Sequence, residues 1–331
     1  MKVLLTGAFG NLGTSCIREL SAKGYDIRCF DVKNKMTELR ANIYQKDYKF
    51  EAFWGNLLDR ESIAKSLNGI DAIIHVGAIL PPVSDIKPDL AKKVNIEGTK
   101  MLIEEAEKQG VKQLIFSSSV SVHGPHYPSM PPVKTTDPFQ PHDTYNTTKV
   151  ECEGLLKNSN LKWTVVRFGA ILAVENRGQK QGGLDDYAIQ MIFGIPLAQK
   201  VEVIHSHDAA LALVNAINNE RAYNKVFFGG GGPKCQLVEK EFMFETLKLM
   251  GIGTFPESAF NVPKSDTDTE GWYYTHWMDT KESQEVLQFQ RKTFEDYKKD
   301  VPKPPFIQKI LLAVIGPFLR RNMIKKSPYK H

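Results

Sequence analysis

The chain has 331 residues, 42% of them hydrophobic and 24% charged, which is the balance of a folded globular protein too long for one small core. That balance excludes a disordered, collagenous or coiled-coil chain, and no apolar run reaches the ~20 residues of a membrane-spanning helix. The net charge is +5, yet every charge after Asp300 is positive (Lys303, Lys309, Arg320, Arg321, Lys325, Lys326, Lys330), so the body is mildly acidic and general nucleic-acid binding is not expected.

The opening Met-Lys-Val-Leu-Leu lacks the long apolar core of a signal peptide, so a cytoplasmic chain is expected. A strand is predicted over 2–6 and a helix over 14–23, joined by Thr6-Gly7-Ala8-Phe9-Gly10-Asn11-Leu12-Gly13. In that context the glycines have distinct uses. Gly7 makes the tight turn, Gly10 lets backbone approach a pyrophosphate, and Gly13 lets the helix pack closely. The helix N-terminus then offers N–H groups and a positive dipole end to phosphate. A second strand over 27–32 carries Asp31, 24 residues after Gly7. A carboxylate there accepts ribose hydroxyls and repels a 2′-phosphate, which favours NAD over NADP, although Lys33 and Lys35 follow it.

Further on, the pattern predicts strands over 50–54, 71–76 and 113–117 and helices over 60–67 and 88–109. Continuous apolar strands separated by helices imply a doubly wound parallel α/β sheet covered on both faces. Residues 120–143 are rich in proline and read as loop. A helix over 144–157 and a strand over 163–172 follow, whereas 173–200 and 232–290 lack regular alternation and hold Trp272, Tyr273, Tyr274 and Trp277. The expected organisation is therefore a Rossmann core over 1–172 to which 201–231 return, a smaller substrate lobe over 173–200 and 232–300, and a basic, apolar tail over 301–331. Cys16, Cys29, Cys152 and Cys235 lie far apart without metal-ligand spacing and read as reduced, buried thiols, so no metal site is expected.

Tyr145-Asn-Thr-Thr-Lys149 places a phenol and an ammonium on one helix face. A lysine beside a phenol favours phenolate and lowers the phenol's pKa from ~10, which suits proton exchange with a substrate hydroxyl. The run Ser117-Ser118-Ser119 closes an apolar strand at the edge where parallel sheets bind ligands, with Val122-His123-Gly124 beyond it.

With these motifs the chain resembles an extended short-chain dehydrogenase/reductase of the NAD-dependent epimerase/dehydratase type, over roughly residues 1–300. The resemblance rests on Gly7/Gly10/Gly13, Asp31, Asn56-Leu57-Leu58-Asp59, His75-Val76-Gly77-Ala78, Asn95 with Gly98 and Thr99, Ser119, Tyr145/Lys149, Arg167 and Ile204-His205-Ser206-His207-Asp208. It implies Ser119 and Tyr145 as catalytic groups and Lys149 as support for both Tyr145 and the nicotinamide ribose. It implies Asn56 and Leu57 beside the adenine, Gly77 and Ala78 beside the adenosine ribose and phosphates, and Phe168–Ile171 beside the nicotinamide. It also implies a dimer through the helices at 88–109 and 144–157.

The chain departs from the family pattern in places. Asn56 stands for a usual Asp and Gly77 for a common Ala. His123 stands for the usual Tyr and is either a substrate contact or a structural loop histidine. The arginine with which nucleotide-sugar members bind a diphosphate is absent from Gln199-Lys200-Val201-Glu202, where Lys200 is a weaker substitute. Asp208 is expected to cap a helix behind the pocket. The leading expectation is an NAD-dependent dehydrogenase or reductase acting on a secondary alcohol or ketone. A nucleotide-sugar epimerase or dehydratase and a non-catalytic dinucleotide sensor remain as alternatives. The tail is either an interfacial helix on an anionic membrane or a helix docked on the body.

Overall fold

The computed structural model describes residues 1–174, 177, 186–302 and 306–329. Part of the expected substrate lobe (175, 176 and 178–185) and of the tail (303–305, 330 and 331) lies outside them, as do the side chains of 186–188 and 306–315.

Seven parallel strands form the main sheet: β1 (Lys2–Thr6), β2 (Asp26–Asp31), β3 (Glu51–Trp54), β4 (Ala72–His75), β5 (Gln113–Ser119), β6 (Lys162–Phe168) and β9 (Lys225–Gly229). Their order is β3-β2-β1-β4-β5-β6-β9, so the chain reverses direction between β1 and β4. A ligand crevice opens at such a switch point, beyond the strands' carboxyl ends. The strand interiors are fully buried; Val3, Leu4, Leu5, Ile73, Ile74, Leu114, Ile115, Val165 and Val166 are all 0% exposed, which explains their continuous apolar runs. Two apolar clusters cover the two faces, one centred on Ile17, Leu20, Ala209 and Leu213, the other on Ile63, Leu102, Cys152 and Leu156.

The single strand expected over 163–172 is broken at Gly169. Its second half, β7 (Ala170–Leu172), leaves the main sheet and pairs with β8 (Lys200–His205), which also carries β10 (Gln236–Val238) antiparallel on its other edge. Gly169 permits the crossing because a Cβ there would stand 2.3 Å from the Glu202 carbonyl oxygen. The long helix expected over 88–109 is interrupted as well. It runs as Pro88–Lys92, a π turn over Lys93–Glu97, and Gly98–Lys108.

The helix Lys35–Tyr44 had no counterpart in the sequence reading. Its signal is the capping box: the Asn34 Oδ1 accepts from the Met36 and Thr37 N–H groups, and Thr37 Oγ1 accepts from the Asn34 N–H. All four cysteines are buried and free. The helix Phe306–Lys325 closes the chain. Past Gly316 it is docked: Met323 is buried with Ile189, Phe193, Met243 and Leu247, Arg320 Nη1 donates to the Ile252 carbonyl (2.7 Å), and Ser327 Oγ donates to the Ala259 carbonyl (2.5 Å). Among the described residues, no helix is long and apolar enough to cross a membrane.

Candidate active site

The β1 turn builds the floor of the crevice. Gly7 has φ +65, and a Cβ on it would lie 2.6 Å from Gly77 Cα. A Cβ on Gly13 would lie 2.2 Å from the Gly7 carbonyl oxygen, so the helix Asn11–Ala22 sits directly on the turn. Gly10 is the N-cap of that helix, with no side-chain cap and no acidic residue in the first turn, so the first N–H groups keep room for an anion.

Above this floor lies a cavity of about 590 Å³. Its wall includes Gly7, Phe9, Gly10, Asn11, Leu12, Gly13, Asp31, Asn56, Leu57, Gly77 and Ala78, each a position singled out from the sequence. Among the described residues the cavity carries one carboxylate, the uncapped N-terminus of the helix Asn11–Ala22 and apolar side walls, the combination a dinucleotide needs. Asp31 is largely buried, and burial raises its pKa against the pull of its N–H partners. Its Oδ2 accepts from the Phe9 N–H (2.9 Å) and its Oδ1 from the Val32 N–H (2.8 Å). Each oxygen keeps a lone pair for a ribose hydroxyl. Asn56 uses its Oδ1 to accept from the Leu58 N–H (2.9 Å), which shapes its own turn.

The π turn supplies the opposite wall. Asn95, 2% exposed, accepts from the Ile79 N–H (2.7 Å) and donates Nδ2 to the Ile79 carbonyl (3.0 Å) and to Thr148 Oγ1 (3.0 Å). The Cys152 thiol donates to the Asn95 carbonyl (3.0 Å). One side chain thus fixes the cavity segment Ile79 and ties it to the helix Thr144–Lys157. Irregular helical turns of this kind gather at functional sites.

That helix carries Tyr145 and Lys149 as expected. Lys149, 3% exposed, donates Nζ to the Ser117 carbonyl (2.7 Å) and lies 4.5 Å from the Phe116 ring centroid and 5.6 Å from that of Tyr145. Burial lowers its pKa to about 8. The expected depression of the Tyr145 pKa is not found. Burial, reinforced by Asp143 and Cys152, pushes it well above the usual phenol value, because the ammonium is held at the Ser117 carbonyl and burial outweighs it.

Ser119 ends β5 and joins a hydrogen-bond chain that sequence reading missed. Ser119 Oγ and Ser121 Oγ are 2.7 Å apart, and Ser121 Oγ donates to Asn146 Oδ1. Asn146 Nδ2 in turn donates to Asp143 Oδ2 (2.8 Å). The Asp143 carboxylate accepts only, so it orients the amide; the amide oxygen takes the Ser121 proton, and the Ser119 proton is directed to Ser121. Ser119 then turns a lone pair outward.

Two expected contacts are corrected. His123 is 2% exposed, and both ring nitrogens are engaged: Nδ1 with the Pro138 carbonyl (3.2 Å) and Nε2 with Arg167 Nη1 (2.9 Å). The structural alternative holds, and the ring is not offered to a substrate. The Phe168 ring is 2% exposed and packs over Gly229, so its side chain belongs to the core, while Ile171 from the same segment lines the cavity.

Behind the site, Arg167 grips Glu153 with two hydrogen bonds (Nε to Oε1 2.9 Å, Nη2 to Oε2 2.7 Å), and Ser118 Oγ donates to the same carboxylate (2.7 Å). Gln199 is 0% exposed; its Nε2 donates to the His126 and Thr275 carbonyls and its Oε1 accepts from the Tyr273 N–H. Lys200 Nζ lies over the Trp277 ring at 4.4 Å. Gln199 and Lys200 of the arginine-less stretch are therefore engaged within the fold. Asp208 does not cap its own helix; it accepts from the Arg291 and Lys292 N–H groups, both at 2.7 Å.

The chain is similar to several known proteins. A photosystem II assembly factor Ycf39 from Trieres chinensis is 28% identical over 70% of this chain and 64% of its own length. Sterol demethylase protein B from Methylococcus capsulatus is 31% identical over 46% of this chain and 45% of its own, and UDP-glucose 4-epimerase from Lactobacillus helveticus is 29% identical over 54% of each. The chain thus spans less than two thirds of the length of these curated relatives. Among solved structures, UDP-glucose-4-epimerase from Stenotrophomonas maltophila with bound NAD superposes with a TM-score of 0.73 at 20% identity, covering 97% of this chain and 99% of that one. The UDP-glucose 4-epimerase of Bifidobacterium longum gives 0.71 at 20% identity over 91% and 96%. The family model that matches spans residues 3–227. The chain belongs to the NAD dependent epimerase/dehydratase family.

Proposed function

We propose that the chain is an NAD-dependent oxidoreductase that acts on a secondary alcohol or its ketone. The observation that carries this is a cavity lined by Gly7, Asp31 and Gly77 beyond β1, β2 and β4, with Ser119 ending β5 of the same sheet and Lys149 of the Tyr145 helix bonded to the Ser117 carbonyl. A bound nicotinamide supplies or accepts the hydride. The glycine turn and the bare helix N-terminus bind the pyrophosphate, Asp31 takes the adenosine ribose, Asn56 and Leu57 border the adenine, and Ile79 and Ile171 exclude water.

Tyr145 exchanges the proton with the substrate oxygen. Its raised pKa keeps the phenol protonated in the open site, ready to donate to a ketone oxygen. Ser119 positions that oxygen, and its outward lone pair suits a hydroxyl donor, that is, the alcohol. Lys149 holds the β5 end through Ser117, lies 5.6 Å from the Tyr145 ring centroid, and takes the nicotinamide ribose.

A second reading, epimerisation of a nucleotide sugar by the same hydride chemistry, is favoured by the UDP-glucose 4-epimerase relatives. The internal engagement of Gln199 and Lys200 weighs toward a substrate without a diphosphate. Residues 173–200 and 232–300 serve as the substrate lobe, the chain works as a cytoplasmic homodimer, and the docked tail lends peripheral contact with anionic membrane only through the basic residues it leaves exposed, such as Arg321 and Lys325. A screen of NADH absorbance with UDP-glucose and with aliphatic secondary alcohols tests the reading. NADH that accumulates in proportion to alcohol supports it. Conversion of UDP-glucose without NADH accumulation replaces it with the epimerase.

A further inference from the structure

Arg40 is a guanidinium buried to 5% exposure on the missed helix Lys35–Tyr44, directly behind the glycine turn. Its Nη1 donates to the Phe9 carbonyl (2.5 Å) and its Nη2 to Asn11 Oδ1 (3.3 Å), while its Nε has no partner among the described residues. On the other side of the same residue, Asp31 accepts from the Phe9 N–H (2.9 Å). Phe9 is also held through its ring, 5.4 Å from Trp54 and 5.9 Å from Phe50.

A buried arginine with an orphan donor destabilises a fold, so its position calls for a reason. The Phe9 carbonyl belongs to the peptide that leads into Gly10, the cap of the phosphate-facing helix. Gly10 N–H donates back to the Gly7 carbonyl (3.1 Å), so the turn is closed from inside, and Arg40 holds the Phe9 carbonyl that leads out of it. Left free, that carbonyl has the conformational latitude of a glycine-flanked peptide and can swing toward the anion.

We propose that Arg40 is a positioning residue for the diphosphate. With Asp31 it clamps both sides of Phe9 and keeps the carbonyl turned away from the phosphate seat. The inference rests on the dinucleotide reading of the cavity. It assigns Arg40 to the pyrophosphate and not to the adenosine, because Arg40 touches the turn from behind and does not line the cavity.

The test measures NAD, ADP and adenosine binding to the full native chain and to Arg40→Met and Arg40→Lys, by calorimetry and, for adenosine, by ligand-observed NMR. Losing charge-assisted hydrogen bonds predicts NAD and ADP about ten- to a hundredfold weaker in Arg40→Met, with adenosine unchanged. Arg40→Lys keeps the charge without the fork and falls between, at about three- to tenfold. If Arg40→Met does not fold, the lysine variant decides with the same three ligands. Unchanged NAD and ADP affinities overturn the clamp, and so does an equal loss for all three, which marks a merely structural residue. A native chain that binds none of them overturns the dinucleotide reading itself, a result visible before any variant is made.

Discussion

Replacing Lys149 by Met should stabilise the ligand-free protein near neutral pH while removing its activity. Lys149 is buried, and burial lowers its pKa from the usual 10.5 of a lysine to about 8. At ~1.36 kcal/mol per unit, carrying that ammonium inside the fold costs about 3 kcal/mol when it is protonated. Methionine keeps the packing against Phe116 and loses one hydrogen bond to the Ser117 carbonyl, about 1 kcal/mol. The net gain near pH 7 is therefore about 2 kcal/mol. The sign follows from the lowered folded-state value. Between pH 8 and 10.5 the unfolded chain binds more protons than the folded one, so the native protein recovers stability as pH rises and the variant's advantage shrinks. By about pH 10 the remaining penalty has fallen to about 1 kcal/mol, which the lost hydrogen bond offsets, and the difference should be near zero or reversed. Urea unfolding of both proteins at pH 7 and pH 10 reads this directly. A variant that is less stable at pH 7, by the same margin as at pH 10, refutes the idea that Lys149 is held there against its own desolvation.

Three other outcomes are expected. Tyr145→Phe should lose ~10²–10⁴ in turnover with NAD affinity nearly unchanged, and wild-type turnover on any accepted substrate removes the phenol from the mechanism. Asp31→Ala should narrow the preference for NAD over NADP in a calorimetric titration and lower the melting temperature, since Phe9 and Val32 lose an acceptor; tighter NADP than NAD binding in the native chain contradicts it. A chain ending at Asp300 should melt well below the full chain because Met323, Arg320 and Ser327 leave the small lobe, and equal melting curves would discard the docked helix.

Much of the crevice was legible because its parts are local. The Gly7/Gly10/Gly13 spacing, Asp31 at a strand end and Tyr145 four residues before Lys149 each carry their meaning within a turn or two of chain. What escaped depends on distant partners. Asn146 and Ser121 acquire a role only when Asp143 and Ser119 are brought together, and the Tyr145 pKa moves up and not down because burial, which local spacing does not report, dominates. Arg40 lay in a helix whose apolar periodicity is weak; the Asn34/Thr37 capping box marked its start. Gly169 read as one more residue of a strand because its reason for being glycine is a carbonyl on another strand.

The π turn at Lys93–Glu97 sets the phase between two stretches of helix. Leu90 and Val94 before or within it face the cavity, while Leu102, Ile103 and Ala106 beyond it face the core. Each residue of an α-helix advances its face by ~100°, so deleting one residue here would heal the hydrogen-bond ladder and rotate one stretch against the other by about that angle. Either the cavity wall or the core face would then be turned away, and Asn95 would lose its hold on Ile79. This surface helix should accept many substitutions along its outer side, yet tolerate no change in its length.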